Sequence, residues 1–316
     1  MLRDLVTSKD GEIAVYTFTN RALPGILGDP DVKFPVPGCP ESSAISHDRM
    51  LAAYVTPTTL RCINRQGEVL WHYQFADRPK GYMGYIAQPE FSFDGRVLWF
   101  YKPDCGIRGG NHTDKLLAIN ASTGSVISQV DLGSTGHGAR FLARPNNPFV
   151  LLDVGEGQDG SPLYMFYLDD AESIQLSRCH WCEGNRLLDM SPDGARCKSI
   201  DEIHNRAILH SLPDGQILGT TELEEFDQEA CYVDAYPGGY LDANLAVINV
   251  RGESEYSDDI EEWNRLFLID VHTMKVIRPI GPRTLDAEDW FLPGNGLFVN
   301  AGRIEEIPTT ATKSEV

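Results

Sequence analysis

Phe91-Ser-Phe-Asp-Gly-Arg-Val-Leu-Trp-Phe-Tyr101, followed by Lys115-Leu-Leu-Ala-Ile-Asn120 and Gly124-Ser-Val-Ile-Ser-Gln-Val130, holds four short apolar stretches separated by turns. The pattern recurs. Ala44-Ile-Ser-His-Asp-Arg-Met-Leu-Ala-Ala-Tyr-Val55 leads to Thr59-Leu-Arg-Cys-Ile-Asn64 and Gly67-Glu-Val-Leu-Trp-His-Tyr-Gln-Phe75. Met190-Ser-Pro-Asp-Gly-Ala-Arg-Cys-Lys-Ser-Ile200 leads to Arg206-Ala-Ile-Leu-His210 and Gly215-Gln-Ile-Leu-Gly-Thr220. Two weaker units keep the phase, from about Gly138 to Arg178 and from about Ala230 to Ile280. Short apolar runs bounded by Asp-Gly turns read as strands joined by hairpins.

The chain ends complete each other in this reading. Asp289-Trp-Phe-Leu-Pro-Gly-Asn-Gly-Leu-Phe-Val-Asn-Ala301 resembles the first half of a unit, and residues 2–18 parallel Leu60 to Phe75 as a second half. Segment 2–19 is therefore expected to complete a sixth unit begun by 288–303. Six units in 316 residues give about 53 residues each, close to the period of four-stranded propeller blades with room for loops. The expected fold is all-β: one six-bladed β-propeller over residues 1–308, its last blade closed by both termini, with a disordered tail at 309–316. Such sheets stack because each has two apolar faces and cannot bury both alone.

The element Cys62-Ile-Asn-Arg-Gln-Gly-Glu-Val-Leu-Trp71, with Asn120-Ala-Ser-Thr-Gly-Ser-Val126 and Asp270-Val-His-Thr-Met-Lys-Val276, resembles the repeats of quinoprotein-like and YVTN-type β-propellers. The resemblance implies a fold rather than an activity. Quinone-binding members carry a matching tryptophan in each blade. Only Trp71 stands at that place here, so no quinone is expected. The Trp-Asp dipeptide of WD repeats is also missing. Six blades are similar in number to lactonase, gluconolactonase and strictosidine-synthase-like enzymes, which work at the channel mouth, several with calcium; no motif aligns with theirs.

Composition narrows the partners. Lys plus Arg is 27 and Asp plus Glu is 46, for a net charge of −19. This argues against broad binding to nucleic acid or anionic membranes. No signal peptide or membrane-spanning run is visible, and seven cysteines suggest no disulfide framework. A cytoplasmic setting with free thiols is expected.

Long irregular segments, Pro24 to Glu41, Ala76 to Ile86, Lys102 to Asp114, Gly155 to Ser161, Arg251 to Trp263 and Gly281 to Ala287, fall on one predicted face, where function concentrates. The residues that lead into the first strand of each blade should ring a channel: Glu41, Tyr85, His137, Glu183 with Asn185, Glu229, and Asp286 with Glu288. Three readings stand side by side. The polar ring hydrates a channel; or crowded carboxylates and His137 perform acid/base chemistry; or carboxylates hold Ca²⁺. In the acid/base reading Glu183, Glu229, His137, Glu41 and Glu288 are catalytic. Tyr82, Tyr85, Trp181, Asn185, His112, His204 and Trp290 then contact the substrate. The function expected is a small-molecule hydrolase, isomerase or cyclase, and the alternative is a protein-interaction scaffold using the same face.

Other motifs are set aside. Gly155-Glu-Gly-Gln-Asp-Gly160 matches a dinucleotide fingerprint, but a strand follows where a helix is required, so no NAD is expected. Cys179-His-Trp-Cys182 lacks a second ligand pair for zinc. The acidic run Glu253 to Glu262 reads as a solvated flap with a short helix from Ser257 to Trp263, capped by Ser257.

Overall fold

A computed structural model describes residues 4–9, 11–18, 25–75, 86–104, 113–144, 147–157, 160–256, 259–284, 297–300 and 303–306. Near the N-terminus lie β1 (Leu5–Lys9), β2 (Glu12–Tyr16), β3 (Gly25–Ile26) and β4 (Val32–Pro35). β5 (Ser42–Ile45), β6 (Leu51–Val55), β7 (Thr59–Asn64) and β8 (Val69–Gln74) form one antiparallel sheet. β9 (Gln88–Phe91), β10 (Val97–Lys102), β11 (Lys115–Asn120) and β12 (Val126–Asp131) form the next. β13 (Gly138–Leu142), β14 (Val150–Gly155), β15 (Leu163–Leu168) and β16 (Ile174–Arg178) form a third. A fourth holds β17 (Asn185–Met190), β18 (Arg196–Asp201), β19 (Arg206–Ser211) and β20 (Ile217–Glu222). The fifth holds β21 (Ala230–Tyr240), β22 (Leu245–Tyr256), β23 (Asp259–Asp270) and β24 (Val276–Thr284). Last come β25 (Leu297–Asn300) and β26 (Arg303–Glu306). The five internal repeats read from the sequence are these five four-stranded sheets.

The chain divides into two compact units. One comprises Val6–Tyr16 and Pro30–Glu183; the other comprises Met1–Leu5, Thr17–Asp29 and Gly184–Val316. Within each, sheets stack face to face. In the first unit, Ile13, Val15 and Phe34 pack on Ala52, Tyr54 and Ile63. Val55, Leu60 and Trp71 pack on Phe91, Leu98 and Phe100. Trp99, Tyr101 and Leu116 pack on Leu152, Tyr164 and Phe166. In the second unit, Leu188, Ile200 and Leu209 share a core with Ile248, Trp263 and Phe267. Covering on both faces explains why the middle strands β10, β11 and β19 read as unbroken apolar runs, whereas the fourth strands β8, β12 and β20 each hold only one buried residue or none.

One joint repeats. The turn between the third and fourth strands places a residue at positive φ: Gly67 (79°), Gly124 (74°), Glu172 (58°), Gly215 (70°) and Met274 (55°). An Asn or Asp side chain folds several of these turns; Asn120 Oδ1, for example, accepts from the Ser122 and Thr123 amides, both at 3.0 Å. Three of these turns, those of Gly67, Gly124 and Met274, dock on the preceding sheet. A Cβ on Gly124 would stand 2.7 Å from the Trp71 ring, and Trp71 Nε1 donates to Ala121 O at 2.8 Å. A Cβ on Gly67 would stand 2.9 Å from Pro35 O. Met274 lies against Gly219, and its carbonyl accepts from Thr221 Oγ1.

Closure at the ends differs from expectation. The described residues form seven sheets rather than six, because 24–41, read as a loop, supplies two strands. β4 joins β1 and β2, with Phe34 opposite Ile13, and makes a separate three-stranded sheet. The C-terminal pair β25 and β26 takes β3 as its third strand, with Arg303 opposite Ile26, instead of residues 2–19. The C-terminal pair is thus extended by a two-residue strand held by backbone pairing, with Ile26 exposed. The helix expected from Ser257 is also replaced: Glu253 pairs with Glu262 and Tyr256 with Asp259 in a long β22–β23 hairpin. The buried Trp263 lies across from Gly252, where a Cβ would stand 2.1 Å from the indole. That packing outweighs the local capping signal. Residues 309–316 lie outside the described residues.

Replacing Gly124 by Ala adds backbone strain and a collision with Trp71, and is expected to cost about 3 kcal/mol. Gly133, at φ 71° with open space around it, isolates the backbone contribution; its Ala variant should lose only about 1 kcal/mol. Urea denaturation of both variants checks the difference.

Candidate functional site

The first strands of three sheets in the first unit meet at their starts. Ser42 Oγ, beginning β5, donates to Ala87 O at 2.5 Å, just before β9. The Ile86 amide donates to His137 O, and the His137 amide to Gly155 O, both at 2.8 Å. Glu41 and His137 therefore flank the chain leading into β9 from either side. The Glu41 amide is fixed to Val55 O at 3.0 Å. His137 is exposed, its ring lying over Gly157, whose Cβ position is 3.7 Å from Nε2.

A buried carboxylate holds the segment that carries His137. Asp114 is fully enclosed, and its Oδ2 accepts from Tyr101 Oη (2.8 Å), Ser134 Oγ (3.0 Å) and the Gly136 amide (2.6 Å). Oδ1 accepts from the Asp104 amide at 3.0 Å. Such charge-assisted bonds fix a loop firmly. Glu156 Oε1 adds a bond from the Thr135 amide at 2.8 Å. Gly136 has no room for a side chain: a Cβ would stand 2.3 Å from Val154. Asp114 was legible only as the end of a loop, since its partners lie 10 to 22 residues away.

Glu90, in mid-strand on β9, escapes sequence reading. It stands opposite Trp99 and so faces the sheet of β13 to β16, into whose core Trp99 packs. It is partly buried, and burial pushes its carboxyl up to about 7. No described residue pairs with it.

The remaining expected residues fall out as follows. Glu183 is exposed and held by Arg178 Nη2 at 2.7 Å and His180 Nδ1 at 3.6 Å. Trp181 sits half-buried in the short 3-10 turn His180–Cys182. Asn185 turns into its sheet, donating to Ser199 Oγ at 3.3 Å; Ser199 in turn meets His210 Nε2 at 2.8 Å. Burial lowers the His210 pKa. His204 is exposed, with Nδ1 2.8 Å from Asp201 Oδ2. Glu229 Oε2 accepts from Ser254 Oγ at 2.7 Å. Tyr82, Tyr85, His112, Asp286, Glu288 and Trp290 lie outside the described residues. Among the described residues no three His, Cys, Asp or Glu side chains gather as metal ligands, and no helix is long and apolar enough to cross a membrane. Cys39, Cys62, Cys179, Cys182, Cys197 and Cys231 are free thiols, and burial pushes Cys62 and Cys179 up to about 12. Gly155 closes β14 and strand β15 follows, as expected for a loop without dinucleotide geometry.

No protein family and no curated protein sequence matches the chain. Solved structures do. Hydrazine synthase of Kuenenia stuttgartiensis is similar at a TM-score of 0.55 and 11% identity, over 82% of this chain and 72% of that one. U3-55K gives 0.53 and 13%, over 93% and 83%. Dihydro-heme d1 dehydrogenase NirN in complex with DHE gives 0.50 and 13%, over 93% and 67%. The fold is that of a β-propeller. At these identities the likeness carries no activity across.

The raised Glu90 carboxyl has a direct consequence for stability. Folded Glu90 keeps its proton up to about pH 7, whereas a free glutamate loses it near 4.5. Its contribution is therefore full below pH 4.5 and is lost as pH rises through 7. Relative to the parent chain, Glu90→Gln should be more favourable at pH 8 than at pH 4.5 by about 1–2 kcal/mol, allowing for contact with water. Urea titrations at the two pH values test this.

Proposed function

We propose that the chain is a small-molecule enzyme of hydrolase, isomerase or cyclase type, using acid/base chemistry where β5, β9 and β13 begin. The observation that supports it is the pair of contacts, Ser42 to Ala87 and Ile86 to His137, which set a carboxylate and an imidazole on either side of one strand start. His137 takes or gives the proton, since imidazole can serve as either acid or base. Glu41 serves as the complementary carboxylate, and Asp114 positions His137 without touching substrate. Glu183 is less suited, being engaged by Arg178 and His180. The same reading places the chain in the cytoplasm with its thiols free.

A scaffold role is favoured by one observation. The exposed fourth strands carry Val69 and Leu70 on β8 and Ile217 and Leu218 on β20, each about half exposed, and aliphatic surface of this kind suits protein contacts.

A panel of lactones, esters and small cyclic substrates, assayed from pH 5 to 9, separates the two. The enzyme reading expects pH-dependent turnover, falling about 100-fold in His137→Gln and in Glu41→Gln at unchanged melting temperature. Turnover that survives both variants overturns the assignment. A rise in melting temperature with Ca²⁺, reversed by EDTA, would replace it with metal-centred chemistry.

A further inference from the structure

A separate cavity of about 230 Å³ opens in the second unit, between the sheets of β17 to β20 and β21 to β24. Its walls include Arg186, Glu202, Asn205, Tyr232, Asp234 and Arg251. The two arginines come from β17 and β22, on different sheets. Each is held on one side. Arg186 Nη1 donates to Glu202 Oε1 at 3.1 Å. Arg251 Nη2 lies 2.6 Å from Asp234 Oδ2, its Nη1 is 3.5 Å from Tyr232 Oη, and its guanidinium carbon is 5.7 Å from the Tyr232 ring. Both side chains remain about half exposed. The Nε and Nη2 donors of Arg186 and the Nε donor of Arg251 have no described partner.

We propose that this cavity binds the oxyanion group, carboxylate or phosphate, of a small molecule. A guanidinium is a planar fork of five donors that matches such groups geometrically. The carboxylates Glu202 and Asp234 occupy one edge of each fork and set its direction. The Nε and Nη2 edge of Arg186 and the single Nε donor of Arg251 then meet the ligand. A chain of net charge −19 repels anions at long range, so binding here depends on local donors rather than on a general basic surface. The site is independent of the acid/base reading and survives its failure.

Calorimetric titration with inorganic phosphate and, separately, with malonate, at constant ionic strength in chloride, tests it. Saturable binding of either anion in the millimolar range is expected; the anion that binds assigns the group. Arg186→Gln and Arg251→Gln should each weaken it about 10-fold, and Arg186→Lys, which keeps the charge but loses the fork, at least about threefold. Arg96→Gln, at an exposed pair with Asp94, should bind as the parent does. Absence of saturation by about 50 mM, well above the millimolar range, overturns the proposal. So does full affinity in Arg186→Lys, or a matching loss in Arg96→Gln. Thermal melts without anion show that each variant is folded.

Discussion

The joint that recurs in both units is the docking of a third-to-fourth-strand turn onto the sheet before it, made by the turns of Gly67, Gly124 and Met274. A left-handed residue at the turn lets the backbone come within van der Waals reach of its neighbour. Where Trp71 meets Gly124, the indole covers the turn and donates to its backbone. Where Gly219 meets Met274, the roles of large and small residue are exchanged. The spacing is thus conserved physically while the chemistry varies, and a single flat apolar sheet gains a defined partner on each side. The middle strands can then be apolar on both faces without exposing that surface.

This regularity made the five internal sheets legible. Short apolar runs at a regular spacing, with Asp-Gly turns in two of the sheets, identify them because each sheet solves the same packing problem. The ends were less legible for a physical reason. β3 has two residues and β4 four, with prolines close by, so neither shows a periodicity. Their strand character comes from pairing with distant partners. The hairpin after Arg251 hid similarly: Ser257 and its following acids read as a helix cap, while the deciding contact, Trp263 over Gly252, is made between paired strands rather than along the chain.

The candidate site was partly legible. Treating the residue before each first strand as special located Glu41 and His137, because successive sheets repeat the same topology. The groups that fix or tune the site were not. Asp114 gathers donors from several segments, and Glu90 is defined by what surrounds it, not by its neighbours in sequence. Asn185 was placed in the right position but with the wrong outlook, since its amide turns toward Ser199. Position in a repeat gives the address of a residue; burial and partners give its chemistry.

The sheet made from β25, β26 and β3 has a consequence in time. Gly25 pairs with Ile304, so about 280 residues must be synthesised before β3 meets its partner. At ribosomal rates of ~5–20 residues per second, that strand waits roughly 15–55 s. Until then β3 lacks its β26 partner, and the second unit, to which both belong, cannot finish its last sheet. Translation speed, rather than local stability, sets when this part of the chain becomes complete.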